Sequence, residues 1–316
     1  MVVLPPVRIL VAPLEATALD DAKNVLARAS RFLPAATVAA EKLFGRYPQA
    51  VPGVTVGAWL AVENTSVARR LPLVGVMAAA GSWIRLLAVD PSSRGQGIGT
   101  ALLAEAARIA KCSSTGTARL RTGDQPGNYL APGVDDRDEA TIDWLLRRGF
   151  RVVGENHNMS VPLRKNELVS RQRSDEMDRA LRASGYQIRR AQVPETHQLA
   201  AWVRGCFSEA WAFEVERALA NGPHPGVHVA LAGEAYVAFA AHDGNNQGLG
   251  WFGPAGTLAE HRGRGIGQAL LLRCLLDVAG ADVETGTIAW IGPLEFYRRT
   301  VGAIPDRRFL VLERQL

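Results

Sequence analysis

Cysteine is scarce: 316 residues hold only Cys112, Cys206 and Cys274. Three is an odd number and no two form a CxxC pair. That argues against a disulfide framework or a cysteine zinc cluster and fits three buried thiols in a reducing cytosol. A long apolar run is also missing. The most membrane-like stretch, LPLVGVMAAAGSWI (71–84), has 14 residues, contains a proline and two glycines, and stops at Arg85. A span needs about 20 apolar residues, so this stretch reads as a buried pair of strands. The opening MVVLPPVRIL has neither a basic segment nor an apolar core of signal-peptide length. The expected location is the cytoplasm, with no membrane partner.

Charge of one sign is not concentrated anywhere. The net charge is +5, but the basic residues are scattered and no basic run is interleaved with aromatics, so a nucleic-acid partner is not expected. His224 and His228 flank Pro225 at a metal-like spacing without a third ligand, so no metal is expected. Two phosphate loops are absent as well. Counting from Gly97, the sixth position is Leu102, which breaks G-x-G-x-x-G, and no glycine turn carries Gly-Lys-Ser/Thr.

A duplication is present. SSRGQGIGTALL (92–103) returns as EHRGRGIGQALL (260–271), so the Arg-Gly-x-Gly-Ile-Gly turn recurs from position 94 to position 262. Each turn follows a strand candidate, WIRLLAVD (83–90) or GLGWFGPAGTL (248–258). Each leads into a helix candidate with apolar residues at helical spacing, at 102, 103, 106 and 109 in the first copy. A second strand and helix come next, ARLRTGD and DEATIDWLLRRGF in one copy, ETGTIAW and PLEFYRRTVGA in the other. A last strand closes each, in FRVVGENHNMSVPL and IPDRRFLVLERQL. Two helical stretches precede each turn, near 18–29 and 36–45, then near 195–204 and 209–219. A hairpin turning at Gly233-Glu234 is expected ahead of the second turn. A period this long is a duplicated domain, since solenoid repeats run about 20–50 residues. The expected layout is residues 1–165, a polar linker over 166–184 with a short helix capped by Ser174, and residues 185–316.

A glycine turn between strand and helix is an anion cradle. First-turn amides have no partner inside the helix, glycine lets a ligand approach them, and the helix dipole favours negative charge. VDPSSRGQGIGTALL resembles the acyl-CoA signature of the GCN5-related N-acetyltransferase (GNAT) superfamily, Arg/Gln-x-x-Gly-x-Gly/Ala. Arg94, Gly97 and Gly99 match it, and Arg262, Gly265 and Gly267 match it again. The resemblance implies an α/β (α+β) chain of two tandem domains, each a mixed, mostly antiparallel sheet flanked by helices. It implies acetyl-CoA as the cofactor. The pyrophosphate would lie against the amides of Arg94, Gly95, Gln96, Gly97, Ile98, Gly99 and Thr100, and against those of Arg262, Gly263, Arg264, Gly265, Ile266, Gly267 and Gln268. The pantetheine arm would pair as an extra strand with Leu87 and Val89, or with Ala255 and Thr257.

The same resemblance implies a tyrosine acid on the last helix, in a Phe-Tyr-x-x-x-x-Gly setting. Phe296, Tyr297 and Gly302 match, whereas five residues before Gly149 stands Trp144. The second copy is therefore expected to be catalytic through Tyr297, and the first to be degenerate or ligand-holding. From Arg94 to Trp144 is about 15 residues longer than from Arg262 to Tyr297 (50 against 35), an insertion in GDQPGNYLAPGVDDRD (123–138). It reads as an ordered loop that either lines a site or rides on the surface. Glu209, Glu214, Glu216, His242, Asp243 and Glu260 are candidate bases, none singled out. The expected activity is N-acetyl transfer to a primary amine of a small molecule. Transfer to a peptide amine and a non-catalytic acyl-CoA-binding or regulatory role are the alternatives.

Overall fold

The computed structural model describes residues 7–45, 53–62, 71–114, 116–221, 225–281 and 283–316. Along the first half run β1 (Val7–Pro13), α1 (Leu19–Ala29), α2 (Ala39–Phe44), β2 (Gly53–Val62), β3 (Leu73–Ala80), β4 (Trp83–Val89), α3 (Ile98–Ser113), β5 (Arg119–Thr122), β6 (Val134–Asp135), α4 (Glu139–Leu146) and β7 (Arg151–Pro162). The second half holds α5 (Arg171–Ala183), β8 (Tyr186–Arg190), α6 (Thr196–Cys206), α7 (Glu209–Leu219), β9 (Val227–Ala232), β10 (Ala235–His242), β11 (Trp251–Thr257), α8 (Ile266–Gly280), β12 (Thr285–Ile288), α9 (Leu294–Val301) and β13 (Ile304–Gln315). The strand, turn and helix series is thus the same in both halves.

The chain forms two compact units. Unit 1 is residues 1–125, 129–155 and 309–316; unit 2 is residues 126–128 and 156–308. In unit 1 the strand order is β1-β2-β3-β4-β5-β13, and in unit 2 it is β7-β12-β11-β10-β9-β8. Every neighbouring pair in these two orders is antiparallel except β4–β5 and β11–β12, which are parallel. The closing strands are exchanged. β13, from the second half, pairs with β5 at Arg121↔Glu313 and Leu120↔Arg314. β7, from the first half, pairs with β12 at Thr287↔Ser160 and Ile288↔Met159.

Burial follows from the layering. In unit 1, Leu102, Leu103, Ala106 and Ile109 of α3 are all buried in one core with Ile84, Leu120 and Leu312, while α1 packs against β3 and β4. Covered by helices on both faces, β3 is buried at all eight positions, which is why 71–84 reads as one apolar run rather than an alternation. In unit 2, alternate residues of β10 part company: Ala238 and Ala240 join α8, whereas Phe239 and Ala241 join α6 and α7.

Two expectations need correction, and the alternatives left open for the 123–138 loop separate. Cys274 alone among the cysteines is buried; Cys112 and Cys206 are exposed, because α3 and α6 turn those positions to solvent. The helix within 166–184 is capped by Ser170, whose side chain accepts from the Arg173 amide, and Ser174 lies buried inside it. The 123–138 insertion is packed, with Tyr129, Leu130 and Ala131 all buried and β6 paired to β13.

Candidate active site

Both turns are built alike. After β4, a 3-10 turn (Pro91–Ser93) leads to Arg94 at φ −67°, ψ 162°, then Gly95 at φ +79° and Gly97 at φ +87°, ψ −4°. After β11, a 3-10 turn (Ala259–His261) leads to Arg262 at φ −70°, ψ 163°, Gly263 at φ +75° and Gly265 at φ +83°, ψ −3°. The first two glycines of each motif are required by these left-handed backbones, since a Cβ at Gly95 or Gly263 would meet nothing. The third differs between copies: a Cβ at Gly99 would come 3.1 Å from Trp144, tighter than ordinary contact, whereas one at Gly267 would meet Phe296 at an ordinary 3.7 Å. Each motif arginine turns back and closes the loop. Arg94 Nε donates to the Val89 carbonyl at 3.3 Å, and Arg262 Nε to the Thr257 carbonyl at 3.0 Å. Intrahelical bonding starts with Ala101 N–H to Gly97 C=O and Ala269 N–H to Gly265 C=O. The amides of 98–100 and 266–268 are therefore the first-turn donors that a helix leaves to a ligand.

Next to each cradle the sheet splits. β4 and β5 pair only at Trp83↔Arg121 and Ile84↔Thr122, and β11 and β12 only at Trp251↔Thr287 and Phe252↔Ile288. Beyond those pairs one edge of β4 and of β11 is open. The Asp90 amide donates to Val74 of β3 and the Leu258 amide to Val237 of β10, each at 2.9 Å. Successive amides of a strand point to opposite edges. Leu87 and Val89, and likewise Ala255 and Thr257, therefore direct their N–H groups to the open edge. Pro254, which has no N–H, is out of step with that pair.

A cavity of about 820 Å³ occupies the split in unit 1 and one of about 710 Å³ that in unit 2. The unit 1 cavity reaches Arg31, Arg85, Asp135, Asp138 and Arg148; Leu130, Gly133 and Val134 of the insertion help line it. The unit 2 cavity carries Phe207, Trp211, Phe252, Phe296 and Tyr297. Tyr297 stands edge-on to Phe252 and Phe296, with centroids 6.2 and 5.1 Å away, and burial pushes its hydroxyl up to about 12.

The counterpart of Tyr297 is Leu145, one residue on from Trp144. Two contacts fix the register. Gly99 faces Trp144 as Gly267 faces Phe296. Arg148 Nη2 donates to Thr100 Oγ1 at 3.0 Å, where Gln268 Nε2 donates to Thr300 Oγ1 at 3.3 Å. Leu145 is buried in the unit 1 core. Counting back from Gly149 misleads because Trp144 stands five residues before it, whereas its counterpart Phe296 stands six before Gly302.

The candidate bases lie elsewhere. Glu209 and Glu216 are paired with Arg204, Glu214 is buried on α7, and Glu260 is exposed in the turn. His242 and Asp243 belong to a partly buried network around Asp277 of α8. His228 Nε2 lies 2.7 Å from Asp277 Oδ2, Arg190 Nη2 donates to Oδ1 at 2.6 Å, and His242 Nδ1 is 2.9 Å from Asp243 Oδ2. Burial opposes the charge on Asp277, but hydrogen bonds from His228, His242 and Arg190 prevail and hold its carboxyl far below the usual range. His224 lies outside the described residues. Among the described residues no group of three or more His, Cys, Asp or Glu could hold a metal ion, and no helix is long and apolar enough to cross a membrane.

Residues 57–152 match the model of the acetyltransferase (GNAT) domain, and residues 196–299 match that of the acetyltransferase (GNAT) family; together these cover more than half of the chain. The chain belongs to the GNAT superfamily, as a tandem protein. Solved structures similar to this tandem GNAT protein include a GCN5-related glucosamine N-acetyltransferase region of a fungal multi-domain GH3 β-N-acetylglucosaminidase. Its TM-score is 0.72 at 19% identity over 98% of this chain, which spans only 38% of the length of the fungal chain. A tandem GNAT protein from the clavulanic acid biosynthesis pathway has a TM-score of 0.68 at 16% identity, covering 98% of both chains. A GCN5-related N-acetyltransferase from Sphaerobacter thermophilus has a TM-score of 0.64 at 14% identity, covering 98% of this chain and 96% of the other. At these identities the likeness is one of fold. No curated protein matches the sequence.

Proposed function

We propose that this protein is a cytoplasmic acetyl-CoA-dependent N-acetyltransferase that acetylates a primary amine of a small molecule, and that unit 2 performs the transfer. Tyr297 carries the reading. It is a protonated hydroxyl on the wall of the unit 2 cleft, beside a strand with a free edge, and its counterpart Leu145 has no proton to give.

The residues fit the coenzyme on two counts: left-handed glycines expose a run of helix-start amides, and the adjoining strand has two unpaired N–H groups. Once bound, acetyl-CoA supplies an acyl group activated as a thioester. The amides of 262–268 would hold the diphosphate, and those of Ala255 and Thr257 would take the pantetheine arm. A strand amide would also stabilise negative charge developing on the acyl oxygen. Tyr297, on the cleft wall, would donate a hydrogen bond to the sulfur as it leaves with the electron pair. At a pKa of about 12, against about 8.5 for a thiol, full proton transfer runs uphill, so the contribution is a charge-assisted hydrogen bond to the leaving sulfur. No candidate carboxylate reaches the cleft to take the amine proton. The apolar walls serve instead, by disfavouring the ammonium form and bringing the neutral amine to attack.

Assaying coenzyme A release with Tyr297→Phe tests the assignment: turnover unchanged at every pH overturns it. Tight acetyl-CoA binding with no release from any amine, small or peptidic, would favour the acyl-CoA-binding role.

A further inference from the structure

The wall of the unit 2 cleft is unusual for a chain with 7% aromatic residues. Phe207, Trp211, Phe239, Phe252, Phe296 and Tyr297 all line it, no acidic residue does, and its one arginine, Arg262, sits in the phosphate turn beside His261. Phe207 and Trp211 stack at 5.6 Å and 30°, and Phe239 meets Phe207 edge-on at 5.4 Å. Phe207 is seated on the backbone of β11. A Cβ at Gly256 would lie 2.5 Å from its ring Cε1, so the glycine is what admits the ring. Gly256 stands between Ala255 and Thr257, whose amides face the open edge, so the aromatic wall borders the stretch where an acyl group would lie. In unit 1 the corresponding position is Ala88, and the ring nearby, Phe32, is covered by Arg137 at 4.8 Å.

We infer that the acceptor of unit 2 is an amine carried on an aromatic or bulky apolar group, selected by Phe207 and Trp211, with the fully buried Phe239 backing them. The inference rests on the reading that unit 2 acylates an amine. Ring faces stack with an aromatic side chain. A hydroxyl-rich amine would surrender its water bonds to a wall with few donors or acceptors, costing about 5- to 100-fold in affinity per unpaired hydroxyl.

Calorimetry on the full chain saturated with coenzyme A tests this, with 2-phenylethylamine and glucosamine as probes. The expected result is at least about 20-fold tighter binding of 2-phenylethylamine. Trp211→Ala and Gly256→Ala, the latter displacing Phe207, should each weaken it about tenfold, with thermal unfolding measured alongside. Equal or tighter binding of glucosamine, or binding of neither, overturns the inference, and the wild-type protein alone is enough to see it. Selective binding of 2-phenylethylamine without coenzyme A release from acetyl-CoA would uphold the acceptor class while sinking the transfer reading.

Discussion

The two clefts share a backbone and differ in what they are lined with. Within a few degrees, Arg94, Gly95 and Gly97 repeat the dihedral angles of Arg262, Gly263 and Gly265. Around that common frame unit 1 places arginines and aspartates, and unit 2 places aromatic rings and a tyrosine. Duplication thus preserved the part that depends on backbone geometry, which few residue types can supply. The part that depends on side chains drifted, because β-strands and helix faces accept many substitutions without moving. The helices after the two turns diverged in the same way: position 109 is a buried isoleucine, and the matching position 277 is an aspartate in a partly buried polar network.

The contrast can be broken most severely at the cradles. Valine is strained at either left-handed glycine. Gly265→Val should abolish acetyl-CoA-dependent coenzyme A release, whereas Gly97→Val should leave it within about threefold; the reverse outcome would move the chemistry to unit 1. Asp277→Asn comes next. Removing one member of a partly buried ionic network costs about 2 kcal/mol, whereas Ile109→Val should cost about 1 kcal/mol, both read from denaturant unfolding. The folded carboxyl titrates below its ordinary 3.8. Its contribution is therefore full above that pH and lost as pH falls below it, so the variant should flatten the acid limb of stability for unit 2. Tyr297→Phe should lower kcat by about 100-fold with KM little changed, while Leu145→Met should leave kcat alone. The smallest effect belongs to Asp90, which accepts from the Ser92 amide at 3.0 Å and from Arg28 at 2.6 Å, where unit 2 has Leu258. Asp90→Ala should cost about 1 kcal/mol of thermal stability without changing turnover.

Much of this was legible in the amino-acid order. The doubled turn, the strand before it and the helix after it are local features, and local features leave periodic or glycine signals. The last helix of each half was legible too, but its register was not: one residue fewer between Trp144 and Gly149 than between Phe296 and Gly302 shifted the match from Leu145 to Trp144, and only contacts with Gly99 and Thr100 restored it. The aromatic wall left no signal, because Phe207, Trp211 and Phe239 come from a loop, a helix and a strand. Nor could pattern say where β7 and β13 pair, since alternation specifies a face and not a neighbour.

That exchange of closing strands has a consequence for how the chain is made. Phe309, Val311 and Leu312 are buried in a sheet whose other strands were translated at the start. A ribosome that has finished the first half has delivered a sheet with β5 still bare along one side. Its missing neighbour is encoded 190 codons downstream (Thr122 to Leu312), so domain-by-domain folding behind the ribosome is closed to this protein. Either half produced alone should emerge as an aggregation-prone fragment, and mixing the two should rescue both.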